Sequence, residues 1–118
     1  MNNNITHLKL QSLAWQWHWN TYPEDRPYIR MLHNNPRNMI DGAQLKAAGL
    51  RKGTPDMVWW RPSTIGDVYF EFKVGKDKQK PEQIEVEKIL TDHGHHYFII
   101  KSFEEYEGII HSIKNKLG

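Results

Sequence analysis

The chain has 118 residues, a formal net charge of +2 at pH 7 and 38% hydrophobic residues, which suits one domain over residues 1–118 with a core that needs no structural metal. It contains no cysteine, which excludes a disulfide framework and a thiolate zinc site. No apolar run approaches membrane-spanning length, and the polar start Met1-Asn2-Asn3-Asn4 is unlike a signal peptide. We therefore expect a cytoplasmic, intracellular protein with no membrane partner.

The first predicted element is a helix from about Ile5 to Trp19. Its apolar residues fall on two stripes, which is more than a surface helix requires. One stripe holds Leu8, Trp15 and Trp19, and the other holds Leu10, Leu13, Ala14 and Trp17. The chain has five tryptophans, and large aromatic side chains dominate both cores and subunit interfaces. We assign them mainly to those two roles, with base stacking as the alternative.

Residues 22–27 are predicted to form a proline-bounded loop, followed by a short strand over residues 28–32 and an asparagine-rich turn at residues 33–36. A small helix over about residues 41–48 is closed by Gly49. Gly53 then allows either a positive φ or a close phosphate approach. Four basic residues of this region are candidate phosphate contacts, with solvated surface as the alternative for each. They are Arg37, Lys46, Arg51 and Lys52.

Two predicted strands follow, over residues 57–61 and 68–74, joined by a hairpin loop at residues 63–67. Thr54-Pro55-Asp56 precedes the first strand. Because side chains alternate along a strand, Glu71 and Lys73 share one face of the second strand with Tyr69. The other face holds Val68, Phe70, Phe72 and Val74. The pattern therefore places two carboxylates and a lysine where strand geometry converges them.

These side chains suit hydrolysis of phosphodiester bonds. A hard cation takes oxygen ligands such as Asp56 and Glu71, polarises the phosphate and lowers the pKa of a bound water. The ammonium of Lys73 stabilises negative charge that develops in the transition state. The alternative is an ordinary solvated strand face, with Asp56 in a turn after proline.

Pro81 occupies the first position of a predicted helix that Gly94 ends. Gln83 lies on the same stripe as Val86 and Leu90, so the face that packs on the sheet carries Gln83 inward. His93, His95 and His96 are assigned to the turn before a strand at residues 97–100, because neither a cysteine nor a paired acid accompanies them.

The last predicted helix is structural. Ser102 to Glu105 form a capping box. A regular apolar stripe then consists of Phe103, Tyr106, Ile110, Ile113 and Leu117.

Charge is distributed unevenly along the chain. Residues 26–61 contain seven arginines and lysines against two acids, whereas residues 82–107 contain seven acids against two lysines. Residues 73–80 add four lysines, of which Lys76 and Lys78 are further candidate DNA contacts, with loop solvation as the alternative. Because the basic segments carry the candidate site, a polyanion is steered toward it.

Three segments around this site resemble one nuclease family. They are Lys52-Gly53-Thr54-Pro55-Asp56-Met57-Val58, the run from Tyr69 to Asp77, and Pro81-Glu82-Gln83. The sequence is similar to the VRR-NUC (virus-type replication-repair nuclease) branch of the PD-(D/E)XK superfamily over nearly its whole length, as a stand-alone domain. The resemblance implies an α/β fold with a restriction-endonuclease-like core, in which a mixed β-sheet is flanked by α-helices.

The resemblance also implies roles for individual residues. Asp56 and Glu71 bind Mg²⁺ or Mn²⁺, the backbone carbonyl of Phe72 adds a ligand, Lys73 assists the water, and Gln83 supports the site. Small members are phage or bacterial proteins. Stand-alone relatives resemble homodimers that cut branched DNA such as Holliday junctions, a reaction of DNA repair.

One position departs from the family pattern, in which a glutamate on the first helix precedes a glutamine by one turn. Here the glutamine is Gln11 and the earlier position is His7, with no acid before Glu24. His7 is either a metal ligand, suited to Mn²⁺ more than to Mg²⁺, or a surface residue near the terminus. The missing acid affects whether a second metal ion binds and how fast DNA is cleaved, more than it affects the class of reaction.

The sequence therefore predicts a divalent-metal-dependent DNA endonuclease. Selectivity for branched DNA and a homodimer rest on the resemblance alone. The alternative is a DNA-binding protein that keeps the nuclease fold but has lost efficient catalysis.

Overall fold

A computed structural model of the chain describes residues 5–32, 39–49, 51–60 and 66–117. These residues form a mixed α/β fold. In chain order its elements are α1 (His7–Thr21), a 3-10 helix (Pro23–Tyr28), β1 (Ile29–Met31), α2 (Met39–Ala47), β2 (Met57–Trp59), β3 (Val68–Phe72), α3 (Pro81–Asp92), β4 (His96–Ile100) and α4 (Phe103–Leu117). In the part of the chain that is described, no helix is both long and apolar enough to cross a membrane.

The four strands form one sheet in the order β1-β2-β3-β4. β1 pairs with β2, and β2 with β3, in antiparallel fashion. His96 N–H donates to the Asp67 carbonyl (2.8 Å) and Lys73 N–H donates to the Ile100 carbonyl (2.9 Å), so β4 runs parallel to β3. The sheet is mixed, as predicted. The predicted hairpin loop lies largely outside the described residues, but the pairing of the strands on either side of it is confirmed.

The chain divides into two compact units. Unit 1 comprises Met1–Pro27, Phe72–Lys78 and Ile99–Gly118, and unit 2 comprises Tyr28–Glu71 and Gln79–Phe98. Both faces of the sheet carry buried apolar side chains in unit 2, since Val58 is 1% exposed and projects from the face opposite Met57 and Trp59. The larger core lies on the face of Met57 and Trp59. Its buried side chains are Ile29, Met57, Trp59, Val68 and Phe70, each no more than 1% exposed.

Unit 1 is built on the contact between α1 and α4. A buried network of polar side chains joins these helices to the 3-10 helix. His18, which is fully buried, hydrogen-bonds through Nδ1 to the hydroxyl of Tyr106 (2.7 Å) and through Nε2 to Oδ2 of Asp25 (2.8 Å). Lys114 Nζ donates to the same Asp25 oxygen (3.0 Å). Each of these groups therefore has a partner that offsets its loss of water.

The two apolar stripes predicted for α1 do not both lie in the core. The buried face consists of Leu10, Gln11, Ala14 and His18. Leu8 is 67% exposed and Leu13 is 39% exposed, so each predicted stripe has a residue outside the core. The hydrogen bonds of His18 explain the difference, because they allow a polar side chain to occupy a core position that a hydrophobicity pattern leaves out.

The tryptophans divide between core and surface. Trp59 is 1% exposed, and Trp17 makes edge contacts with Tyr22, Phe103 and Tyr106 inside unit 1. The core assignment is confirmed for Trp59, whereas Trp17 is half-buried at the edge of the core. Trp60, by contrast, is 42% exposed.

The loop predicted between Tyr22 and Pro27 is instead the 3-10 helix Pro23–Tyr28. That prediction was wrong because the fixed φ of proline suits a 3-10 turn as well as a loop. A 3-10 helix is defined by a few local backbone hydrogen bonds, which amino-acid composition does not reveal. The asparagine-rich turn at residues 33–36 lies outside the described residues.

The remaining predicted elements are confirmed with small shifts of their bounds. Pro81 begins α3. At α4 one half of the predicted capping box is present, with Glu105 N–H donating to Ser102 Oγ (3.2 Å), while Glu105 Oε1 accepts from Lys101 N–H (2.9 Å), one residue before the cap. His93 and His95 lie in the predicted turn, where His93 Nδ1 bonds the Ile89 carbonyl (2.8 Å) and His95 Nδ1 accepts from Asp67 N–H (3.1 Å). His96 is instead the first residue of β4.

Candidate metal centre

Strand pairing brings Asp56 and Glu71 together in unit 2. The register places Met57 opposite Phe70, and Asp56 N–H donates to the Phe70 carbonyl (3.0 Å). One step farther along each strand, Asp56 lies opposite Glu71, and opposed residues project from the same face of a sheet. A carboxylate oxygen of Asp56 and one of Glu71 lie within 4.8 Å of each other. The predicted convergence of the two carboxylates is therefore present.

Both carboxylates are buried, with Asp56 3% exposed and Glu71 2% exposed. Two carboxylates this close repel each other, and buried anions are stable only beside positive charge or a coordinated metal. Carboxylate oxygens are the ligands that hard divalent cations prefer. The donor set of this pair therefore fits a hard divalent cation.

Gln83 orients one of the two carboxylates. It lies in the first turn of α3, where its Oε1 accepts from Lys80 N–H (2.8 Å) and its Nε2 donates to Glu71 Oε2 (3.0 Å). The bond from Lys80 N–H fixes the orientation of the Gln83 amide, so that its Nε2 faces Glu71. The prediction that the helical stripe carries Gln83 inward is confirmed.

Gly53 allows the loop before β2 to approach the start of α3. Its φ is +89°, and a Cβ at this position would lie 2.5 Å from the Glu82 carbonyl oxygen. The predicted positive φ is present. The group that approaches closely is the backbone of α3, one residue before Gln83.

Lys73 directly follows β3 and is 8% exposed. Its N–H donates to the Ile100 carbonyl (2.9 Å), so strand pairing continues through this residue and its side chain keeps the alternation that begins in β3. Lys73, Phe72 and His7 belong to unit 1. The His7 ring meets the Phe72 ring edge-on, with centroids 6.3 Å apart.

Tyr97 lies near the carboxylates, although sequence reasoning assigned it only to a strand. Burial raises the pKa of its phenol, and the negative charges of Glu71, Glu87 and Asp56 raise that pKa further. Gln79 Nε2 donates to Glu87 Oε1 (2.9 Å) and lies 3.5 Å from the Tyr97 hydroxyl. Tyr97 is therefore a protonated phenol in a negative field. No local sequence signal identifies Tyr97, because Glu71 and Glu87, which act on it, belong to other elements, β3 and α3.

The candidate phosphate contacts are exposed wherever they are described. Lys46 lies in α2, Arg51 and Lys52 in the loop before β2, and Lys76 and Lys78 in the loop between β3 and α3. Arg37 lies outside the described residues. Their contacts with DNA stay predictions.

No family model matches the sequence. No curated protein sequence matches it. Among solved structures, one described as "VRR_NUC domain protein" is similar to this chain, with a TM-score of 0.73 and 20% sequence identity, covering 92% of this chain and 88% of that one. The α/β fold predicted from the motifs is confirmed, and it is the fold of a VRR_NUC domain protein.

Proposed function

We propose that the protein is a divalent-metal-dependent endonuclease that hydrolyses phosphodiester bonds of DNA. The buried carboxylate pair carries this proposal, because Asp56 and Glu71 place oxygen ligands within 4.8 Å of each other on a VRR_NUC fold. Mg²⁺ or Mn²⁺ is the proposed cofactor.

When bound, the cation supplies polarisation of the phosphate and a water of lowered pKa. Asp56 and Glu71 would hold it, and the backbone carbonyl of Phe72 is proposed as a further ligand. Gln83 holds Glu71 in one orientation through its amide (3.0 Å), which donates irrespective of pH. Lys73, two residues after Glu71, stabilises negative charge on the phosphate oxygens and orients the water.

His7 is proposed as a ligand at the position where the family carries a glutamate. Imidazole suits Mn²⁺ more than Mg²⁺, so cleavage should be faster with Mn²⁺. A His7→Glu variant should shift that preference toward Mg²⁺, and a His7→Ala variant should lower the rate with both ions. Equal rates for all three proteins would assign His7 to the surface.

Branched DNA and a homodimer are the proposed substrate and assembly, supported by the resemblance to stand-alone nucleases. Phosphate contacts are proposed for Arg37, Lys46, Arg51, Lys52, Lys76 and Lys78. Contacts of this kind position a duplex without reading its sequence.

A cleavage assay tests the proposed nuclease activity. It compares labelled duplex, flap, single-stranded and four-way-junction DNA, each with Mg²⁺ or Mn²⁺. Asp56→Ala and Lys73→Ala serve as controls. Metal-dependent cuts that vanish in both variants support the nuclease, and symmetric paired nicks restricted to the junction support a resolvase.

The second candidate is a DNA-binding protein without efficient catalysis, which the histidine at position 7 favours because it removes an expected acidic ligand. It predicts tight binding of branched DNA with no cuts under either metal. The substrate panel separates the two.

A further inference from the structure

Arg30 and Trp60 form an exposed cation–aromatic pair in unit 2. The guanidinium carbon of Arg30 lies 5.5 Å from the centroid of the Trp60 ring, and Trp60 is 42% exposed. Strand pairing fixes both residues: Arg30 lies in β1, and Trp60 N–H donates to the Tyr28 carbonyl. The preceding Trp59, 1% exposed, projects from the opposite face of the sheet into the core.

The pair lies on the sheet face that carries the carboxylates. Arg30 is opposite Val58, and Val58 is opposite Tyr69. Because side chains alternate, Asp56 and Trp60, each two residues from Val58, share that face, as does Glu71, two residues from Tyr69. Asp56 and Trp60 are four residues apart along an extended backbone, about 13 Å, which is the axial rise of about four nucleotides in one DNA strand.

We infer that the Arg30–Trp60 pair binds an unpaired base of the nucleic-acid substrate a few nucleotides from the scissile phosphate. The inference rests on the proposed function and narrows its substrate to branched DNA that exposes an unpaired base. An exposed indole stacks on any unpaired base, and the arginine beside it attracts the adjoining phosphate. A base that remains paired and stacked in a duplex is not available to this ring.

Residue charge favours nucleic acid as the occupant. The segment from residue 26 to residue 61, which contains both members of the pair, has seven arginines and lysines against two acids. A segment with this charge attracts a polyanion and repels a basic partner.

Binding should be measured with metal chelated, so that no substrate is cut. Fluorescence anisotropy would compare single-stranded DNA, blunt duplex and duplex with an unpaired tail. Trp60→Leu should weaken binding of the single strand and the tailed duplex at least about fivefold, and change blunt-duplex binding by less than about twofold. Trp60→Phe keeps an aromatic ring, so it should weaken binding less than Trp60→Leu does.

Met31→Ala is the matched control. Met31 is 61% exposed and adjoins Arg30 in β1 but projects from the opposite sheet face, so its loss should leave all three affinities unchanged. Circular dichroism and thermal unfolding would show that each variant folds. An abasic nucleotide moved along the single-stranded tail should weaken wild-type binding at one position and leave Trp60→Leu unaffected there.

Equal affinities for wild type and Trp60→Leu, or an equal loss on blunt duplex and single strand, would overturn the inference. So would a wild-type protein that binds no oligonucleotide. The binding assay contains no metal, so it does not depend on cleavage. If binding depends on Trp60 but the protein cuts no substrate in the cleavage assay, the base contact is supported and the nuclease proposal is rejected.

Discussion

Asp56 and Glu71 are the side chains on which catalysis should depend most. Asp56→Asn and Glu71→Gln keep shape but remove a charged oxygen ligand, so each should lower the cleavage rate at least about a hundredfold. Cleavage assays and Mn²⁺ titration by calorimetry would measure the loss. Glu87→Gln is the control, because Glu87 bonds Gln79 and is not a proposed ligand. Full activity in Asp56→Asn would contradict the proposed site.

Gln83 is a positioning residue whose effect should appear in metal affinity. Gln83→Ala removes the bond to Glu71 and the bond from Lys80 N–H, and should weaken Mn²⁺ binding about 10–100-fold. The dependence of the cleavage rate on Mn²⁺ concentration separates this from a loss of stability. Glu82→Ala, one residue earlier in the same turn, should leave that dependence unchanged.

At the scale of elements, the network around Asp25 joins the 3-10 helix to α1 and α4. Burial raises the pKa of Asp25, but the hydrogen bonds from His18 and Lys114 outweigh burial and hold it below its usual 3.8. A depressed pKa in the folded state means that the stabilisation is complete above the unfolded pKa and is lost as pH falls below about 4.

The melting temperature of the wild type should therefore fall as pH is lowered from about 5 to about 2. Asp25→Asn keeps one hydrogen-bonding oxygen but loses the charge, and should cost about 1–3 kcal/mol at neutral pH. Its melting temperature should also vary less over the acid range. Glu24→Gln is the control, since Glu24 bonds Lys114 at an exposed position. An unchanged acid dependence in Asp25→Asn would reject this role.

Gly53 sets the approach between the loop before β2 and α3. In Gly53→Ala the new Cβ meets the Glu82 carbonyl in addition to the strain of a positive φ, so unfolding free energy should fall by more than the ~1–2 kcal/mol that φ alone costs. Gly75→Ala is a matched control, with φ +57° and nothing within 4 Å of the added Cβ. Urea denaturation would compare them. An equal fall in unfolding free energy for the two variants would show that α3 moves to accommodate the new Cβ at little cost.

Local signals in the sequence account for most of these elements. Alternation over residues 68–74 predicted β3, and Pro81 and Gly94 marked the ends of α3. Leu10 and Ala14 of the buried face of α1 lie on a predicted stripe, but the burial of His18 was not predictable in this way, because its partner Tyr106 lies 88 residues away. Tyr97 was missed for the same reason, whereas the motif around Asp56 and Glu71 identified the site.

At the scale of the whole molecule, a homodimer is the remaining prediction. Two sites acting on one junction require two chains, so light scattering should give about twice the chain mass of 14.0 kDa. In a mixture of wild-type and Asp56→Asn chains, mixed dimers hold one active site, so junctions with a single nick should accumulate. Wild-type protein alone is the control. A constant mass of one chain at every concentration, together with paired nicks, would contradict the dimer, because a single site would then be making both cuts.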